Sequence, residues 1–156
     1  CGYLINFTFV NNRKQMGKKE TALEYFHSGY NCAQSVLLPY AGENDPYTRL
    51  ASGFGGGIAR LQQTCGAVTG AAMVLGSRYG AAGCPDENAK RTLYEQVKKF
   101  DAEFVRLNGS DQCSELLGAD MNTVEGKQKI STLDLHRKVC DKCIETAIFL
   151  LEKNKI

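Results

Sequence analysis

The chain is 156 residues long, and its 19 Lys plus Arg against 17 Asp plus Glu leave a formal charge of +2. That length suits one domain burying roughly 70% of the surface its unfolded form exposes, so a core can form without disulfides or metal. The near-neutral charge and the absence of Trp argue against a binder that neutralises nucleic-acid phosphates, and the aliphatic runs fall far short of the ~20 residues a spanning helix needs.

Residues 1–15 hold an apolar patch, Tyr3 to Val10, followed by Arg13 and Lys14. That order is the reverse of a secretory signal, and no small-residue cleavage site follows. Met16-Gly17-Lys18-Lys19 reads as a natural start, so residues 1–15 are expected to be a leader and residues 16–156 a single helical domain. If the apolar patch is ordered, it is expected to pair with a neighbouring copy, giving a homo-oligomer, or to lie on the helical core. From Glu20 the pattern is helical, with Ala22, Leu23 and Phe26 on one face, and it stops at Ser28-Gly29-Tyr30. Asn31, with Gln34 three residues on, forms the pattern of a capping box and opens a helix bearing Val36, Leu37 and Tyr40, which places Cys32 in a first helical turn.

Gly42 to Asn44 break that helix, and Asp45-Pro46 restart the pattern as cap and first residue. A glycine cluster at Gly53, Gly55, Gly56 and Gly57 predicts a close-packing turn; it lacks both the Walker pattern and a preceding strand. Thr64 then reads as the cap of a helix to about Tyr79, with Cys65 in its first turn. The small residues Gly66, Ala67, Gly70 and Ala71 give this helix a face without bulk, which calls for another backbone at close range or a cofactor lying against it. Each glycine costs about 1 kcal/mol relative to Ala, so something must offset it.

Asp86 caps the clearest amphipathic helix, in which Leu93, Val97, Phe100, Phe104 and Leu107 recur at four- and three-residue steps before Asn108 and Gly109. Ser110 or Asp111 caps a short turn bearing Cys113, Leu116 and Leu117. Residues 119–129 are polar and read as irregular. A last helix opens at Ser131 or Thr132 and carries Leu135, Val139, Cys140, Cys143, Ile144, Ala147, Ile148 and Leu151. The expectation is an all-α fold, a compact bundle of about five to six helices.

The seven cysteines are too many for ordinary usage and too few for a small secreted disulfide scaffold. With Cys1 set aside as part of the leader and the chain expected to be cytoplasmic, reactive or metal-binding thiols are favoured over structural bridges. Helix starts stabilise a thiolate through unpaired N–H groups and the helix dipole, which singles out Cys32 and Cys65. Cys140 and Cys143, three apart, point to one inward side of their helix. Cys143 reads as packing, although a thiol one turn from Cys140 could also serve as a ligand or resolving partner, and Cys84, beside Pro85, reads as a bystander. His136, four residues before Cys140, is a conceivable nitrogen ligand but, like His27, more naturally a surface or capping residue. No serine-hydrolase elbow, paired-histidine metal helix or diagnostic pair of carboxylates appears.

Gly29-Tyr30-Asn31-Cys32-Ala33-Gln34, Cys65-Gly66-Ala67-Val68-Thr69-Gly70, Cys113-Ser114-Glu115-Leu116-Leu117-Gly118 and the late Cys140, taken in order, resemble the C_GCAxxG_C_C family of redox-active proteins. The resemblance spans about residues 20–152. It implies that Cys32, Cys65, Cys113 and Cys140 are the characteristic cysteines, with Cys84 and Cys143 as additions. The family is similar to the helical domain of split-Soret cytochromes, yet no Cys-x-x-Cys-His box is present and covalent haem is not expected.

Two functions stand nearly level. In the first, Cys32, Cys65, Cys113 and Cys140 hold an iron–sulfur cluster or another soft metal for electron transfer, with Gly66 and Gly70 letting it approach the backbone. In the second, Cys32 or Cys65 is the attacking thiolate of a metal-free thiol–disulfide oxidoreductase. Either implies a redox partner protein. Behind them stands a helical interaction module whose cysteines only pack.

Overall fold

The computed structural model describes residues 16–43 and 45–155. The apolar patch Tyr3 to Val10 and the leader expected at residues 1–15 lie outside them. Among the described residues the fold is all-helical, with eight α-helices rather than five to six: α1 Lys18–His27, α2 Cys32–Ala41, α3 Pro46–Leu50, α4 Gly66–Tyr79, α5 Glu87–Asn108, α6 Cys113–Leu117, α7 Val124–Thr132 and α8 Asp141–Lys153. A 3₁₀ turn, Ala51–Phe54, and a π-helical turn, His136–Cys140, complete it. None of these helices is long and apolar enough to cross a membrane.

The surplus over the expected count comes from α6, expected only as a short turn, and from α7. The stretch read as irregular contains α7, capped by the Thr123 hydroxyl, which accepts from the Gly126 N–H at 3.0 Å. Its weak apolar pattern hides it, for only Gly126 and Ile130 are buried. The expected last helix is split instead of continuous: it stops at Leu133, Asp134 takes a left-handed φ of 51°, and the chain re-enters through the π turn before α8.

Elsewhere local chemistry places the ends as the sequence predicts. Asn31 Oδ1 accepts from Ala33 N–H at 2.9 Å and Gln34 N–H at 3.0 Å, while Asn31 N–H donates to Gln34 Oε1 at 3.2 Å. These bonds satisfy helix-start donors that would otherwise be orphaned. Asp45 and Asp86 cap α3 and α5, and Gly109 ends α5 at a left-handed φ of 92° that a Cβ would strain.

At the centre, α4 lies against α2, α5 and α8, and α1 closes over α2 and α8. Val36, Ala67, Ala71, Val74, Phe104, Ile144, Ala147, Ile148 and Leu151 form the main core. A smaller cluster of Cys113, Leu117, Met121, Ile130 and Cys140 sits beside it. The bulk-free face of α4 meets a backbone. A Cβ at Gly70 would lie 2.5 Å from Ala33 O, and one at Gly66 2.9 Å from Cys32 Cβ and 3.1 Å from Ala33 N. Close approach of α2 therefore uses both glycines, and the burial it permits offsets their helix cost. Both helix starts, with their cysteines, are drawn together as a result.

Candidate thiol site

Three cysteines stand at helix starts. Cys32 is the first residue of α2 and Cys113 the first of α6, while Cys65 is the N-cap of α4. Cys65 was expected within the first turn behind a Thr64 cap; Thr64 instead pairs with Gln112 in an isolated antiparallel bridge. Around that bridge Cys65 N–H donates to Asp111 O at 2.7 Å and Cys113 N–H to Gln63 O at 2.8 Å, which pins the two cysteine backbones side by side.

The loop that makes this pairing possible is unusual. Gly56, Gly57, Ile58, Ala59 and Arg60 have φ of 62°, 65°, 61°, 48° and 66°, a left-handed helical turn in which three residues carry side chains. Left-handed backbone costs such residues roughly 1–2 kcal/mol each. Compensation comes from the ends: Gln62 Nε2 donates to Ala119 O at 2.8 Å, Gln62 Oε1 accepts from Met121 N–H at 2.9 Å, and Asn122 Nδ2 donates to Arg60 O at 2.9 Å. A Cβ at Gly57 would lie 2.8 Å from Cys113 Cβ, so the turn closes directly over that cysteine.

Opposite these starts, Cys140 at the end of the π turn and Cys143 on α8 complete a group of five sulfurs. Cys65, Cys113, Cys140 and Cys143 are buried, Cys32 is half-buried, and all are free thiols; Cys84 is exposed and apart. The group divides in two. Cys65 and Cys143 share the main core, where each is the other's strongest electrostatic influence, and Cys140 lies in the smaller cluster against which Cys32 packs, with Cys32 its strongest influence.

Electrostatics gives the partners different roles. Cys65 is held below the ordinary thiol range, first by the hydrogen bond from Cys143 and then by the Ala67 and Val68 N–H groups of α4, against the opposing effect of burial. Cys143 is raised by donating to Cys65 and by burial, and Cys140 by donating to Cys32 and by burial. Burial, with charge on Cys65 and Cys32 nearby, pushes Cys113 up to about 12. The result is a cysteine at a helix start whose ionised form is favoured, with a partner on α8 that holds its proton more tightly.

Exposed polar groups rim the Cys140 side. His136 Nδ1 is 3.7 Å from Cys140 Sγ. His27 Nε2 meets Asp141 Oδ2 at 2.8 Å, and Arg137 Nη1 lies 3.5 Å from His27 Nδ1. His27 therefore has surface partners, whereas His136 touches a sulfur.

The four family-type cysteines lie in the two adjoining buried clusters, and Cys143, which reads as packing in the sequence, lies with Cys65 in the main core. Its one local signal is its place a turn from Cys140, because its partner lies on another helix. The donor chemistry suits a soft metal, but no group of three or more His, Cys, Asp or Glu among the described residues is placed to hold a metal ion.

A family model described as "Putative redox-active protein (C_GCAxxG_C_C)" matches residues 30–154. The chain belongs to this family. All five clustered cysteines fall within the matched span, as does Cys84. No curated protein and no solved structure matches the chain.

Proposed function

We propose that this member of the family is a thiol–disulfide redox protein whose working units are the pairs Cys65/Cys143 and Cys32/Cys140. The observation that carries the reading is the burial of Cys65 and Cys143 together in the main core, with the thiolate-stabilising N–H groups all on the Cys65 side. Each pair passes between dithiol and disulfide. A protein dithiol plus R–S–S–R gives a protein disulfide plus two R–SH, so two electrons move to the acceptor and two protons follow. Cys65, steadied as a thiolate by the start of α4, is the sulfur that attacks when its pair closes and leaves when it opens.

A second reading, an iron–sulfur cluster or other soft metal held by Cys32, Cys65, Cys113 and Cys140, is favoured by the convergence of five thiols in one region. It requires ligands that are now paired to close into a common set. Anaerobic purification, iron and sulfide analysis and a thiol count before and after oxidation separate the two. The dithiol reading expects thiols lost reversibly in twos without stoichiometric iron and sulfide. Stoichiometric iron and sulfide, lost on Cys113→Ser, would overturn it in favour of the cluster.

A further inference from the structure

Beside the thiol group lies a cavity of about 450 Å³, lined by Asn108, Gly109, Ser110, Glu115, Leu116, Lys138, Val139, Lys142 and Cys143. Cys143 is the one cysteine among these residues and the only one of them fully buried, whereas Lys138, Lys142 and Glu115 are exposed. Cys143 is therefore the buried part of the lining, and the charged residues stand on its exposed part. No ion pair among the described residues engages Lys138 or Lys142, and the Ser110 hydroxyl donates to Glu115 Oε2 at 2.6 Å.

We propose that this cavity is the entry site for a small amino-acid-based thiol of net negative charge, or its disulfide, which exchanges with the Cys65/Cys143 pair at Cys143. Two lysines suit carboxylates and Glu115 suits an ammonium group, while the volume sits at the low end of small-molecule sites, about 300–1,000 Å³. The assignment rests on the thiol–disulfide reading and adds the substrate class and the sulfur that meets it.

The sequence of bonds follows from the placement. With the pair oxidised, the incoming thiolate attacks Cys143 Sγ, the Cys65–Cys143 bond breaks, and Cys65 leaves as a thiolate onto the Ala67 and Val68 N–H groups. A second small thiolate attacks the ligand sulfur of the mixed disulfide, releasing the small disulfide and leaving Cys143, which takes up a proton. Two small thiols are oxidised and one protein disulfide is reduced. The polarity is sensible because the better leaving sulfur is the one facing away from the cavity.

The test follows the reduction of the oxidised full chain by glutathione, 2-mercaptoethanol and cysteamine at equal thiolate concentration. Glutathione is expected to react roughly tenfold faster than cysteamine, with a preference that shrinks in high salt. The double variant Lys138→Glu, Lys142→Glu is expected to abolish that preference, and the trapped mixed disulfide to map to Cys143. Equal rates for the three thiols, an adduct on Cys32, or reduction only by a protein dithiol would overturn the site while leaving the pair intact. Oxidation that yields no Cys65–Cys143 disulfide would instead overturn the reading beneath it.

Discussion

Cys32 and Cys65 begin helices, whereas Cys140 and Cys143 sit where a helix is already under way, and that difference divides the labour of the site. A helix start offers N–H groups that no carbonyl claims, so Cys65 meets donors as well as a thiol. Within a helix those donors are spent on the backbone, so burial and the facing cysteines make Cys140 and Cys143 hold their protons instead. Two cysteines three apart in a regular helix share one face but stand a turn apart along it, so Cys140 falls in the smaller cluster beside Cys32 and Cys143 in the main core with Cys65.

The comparison breaks most completely at Cys65. Cys65→Ser is expected to abolish disulfide formation by Cys143 and to remove the fastest-alkylating buried thiol at neutral pH, whereas Cys143→Ser keeps a reactive Cys65; timed alkylation with mass spectrometry reads both. Next comes the approach that brings the helix starts together. Gly70→Ala forces a Cβ against Ala33 O, and overpacking of this kind costs about 1–3 kcal/mol, measurable by urea unfolding, whereas Gly76→Ala, with open space at its Cβ, is expected not to destabilise.

A smaller effect sharpens the electrostatic side. Cys113, Cys140 and Cys143 hold their protons in the fold to higher pH than in the unfolded chain, which releases them near pH 8.5. The unfolded state then binds fewer protons, so these groups stabilise the fold fully below that pH and lose their contribution as pH rises through the folded values. Cys65, depressed in the fold, works the other way: its contribution is full above the unfolded value and is lost as pH falls through the folded one. With three groups opposing one, stability is expected to fall above about pH 8.5, and Cys113→Ala should flatten that slope in pH-dependent denaturation. The smallest effect is at the left-handed turn: Ile58→Gly relieves backbone strain and, after the entropy glycine adds to the unfolded chain, is expected to raise stability by about 1 kcal/mol in urea unfolding.

What could be read from the sequence was what adjacent residues decide. Asn31 with Gln34, Asp45 before Pro46, Asp86 and Gly109 each fix a helix end with atoms a few residues away, and the structure has all of them. The apolar repeat of α5 likewise put Phe100 and Phe104 in the core. What escaped depends on distant partners. Cys143 is indistinguishable from a small core residue until α4 is packed against α8. Ile58, Ala59 and Arg60 have no intrinsic reason to be left-handed and are held so through Gln62 and Asn122. The π turn has no repeat of its own, and α7 is too polar to show one.

The proposed redox function turns on which sulfurs pair. Mild oxidation of the full chain, alkylation of the remaining thiols and peptide mapping by mass spectrometry test this directly. The predicted cross-links are Cys65–Cys143 and Cys32–Cys140, with Cys84 and Cys113 recovered as alkylated thiols. A Cys65–Cys113 or Cys140–Cys143 cross-link as the main product, or no cross-link within the group, would contradict it.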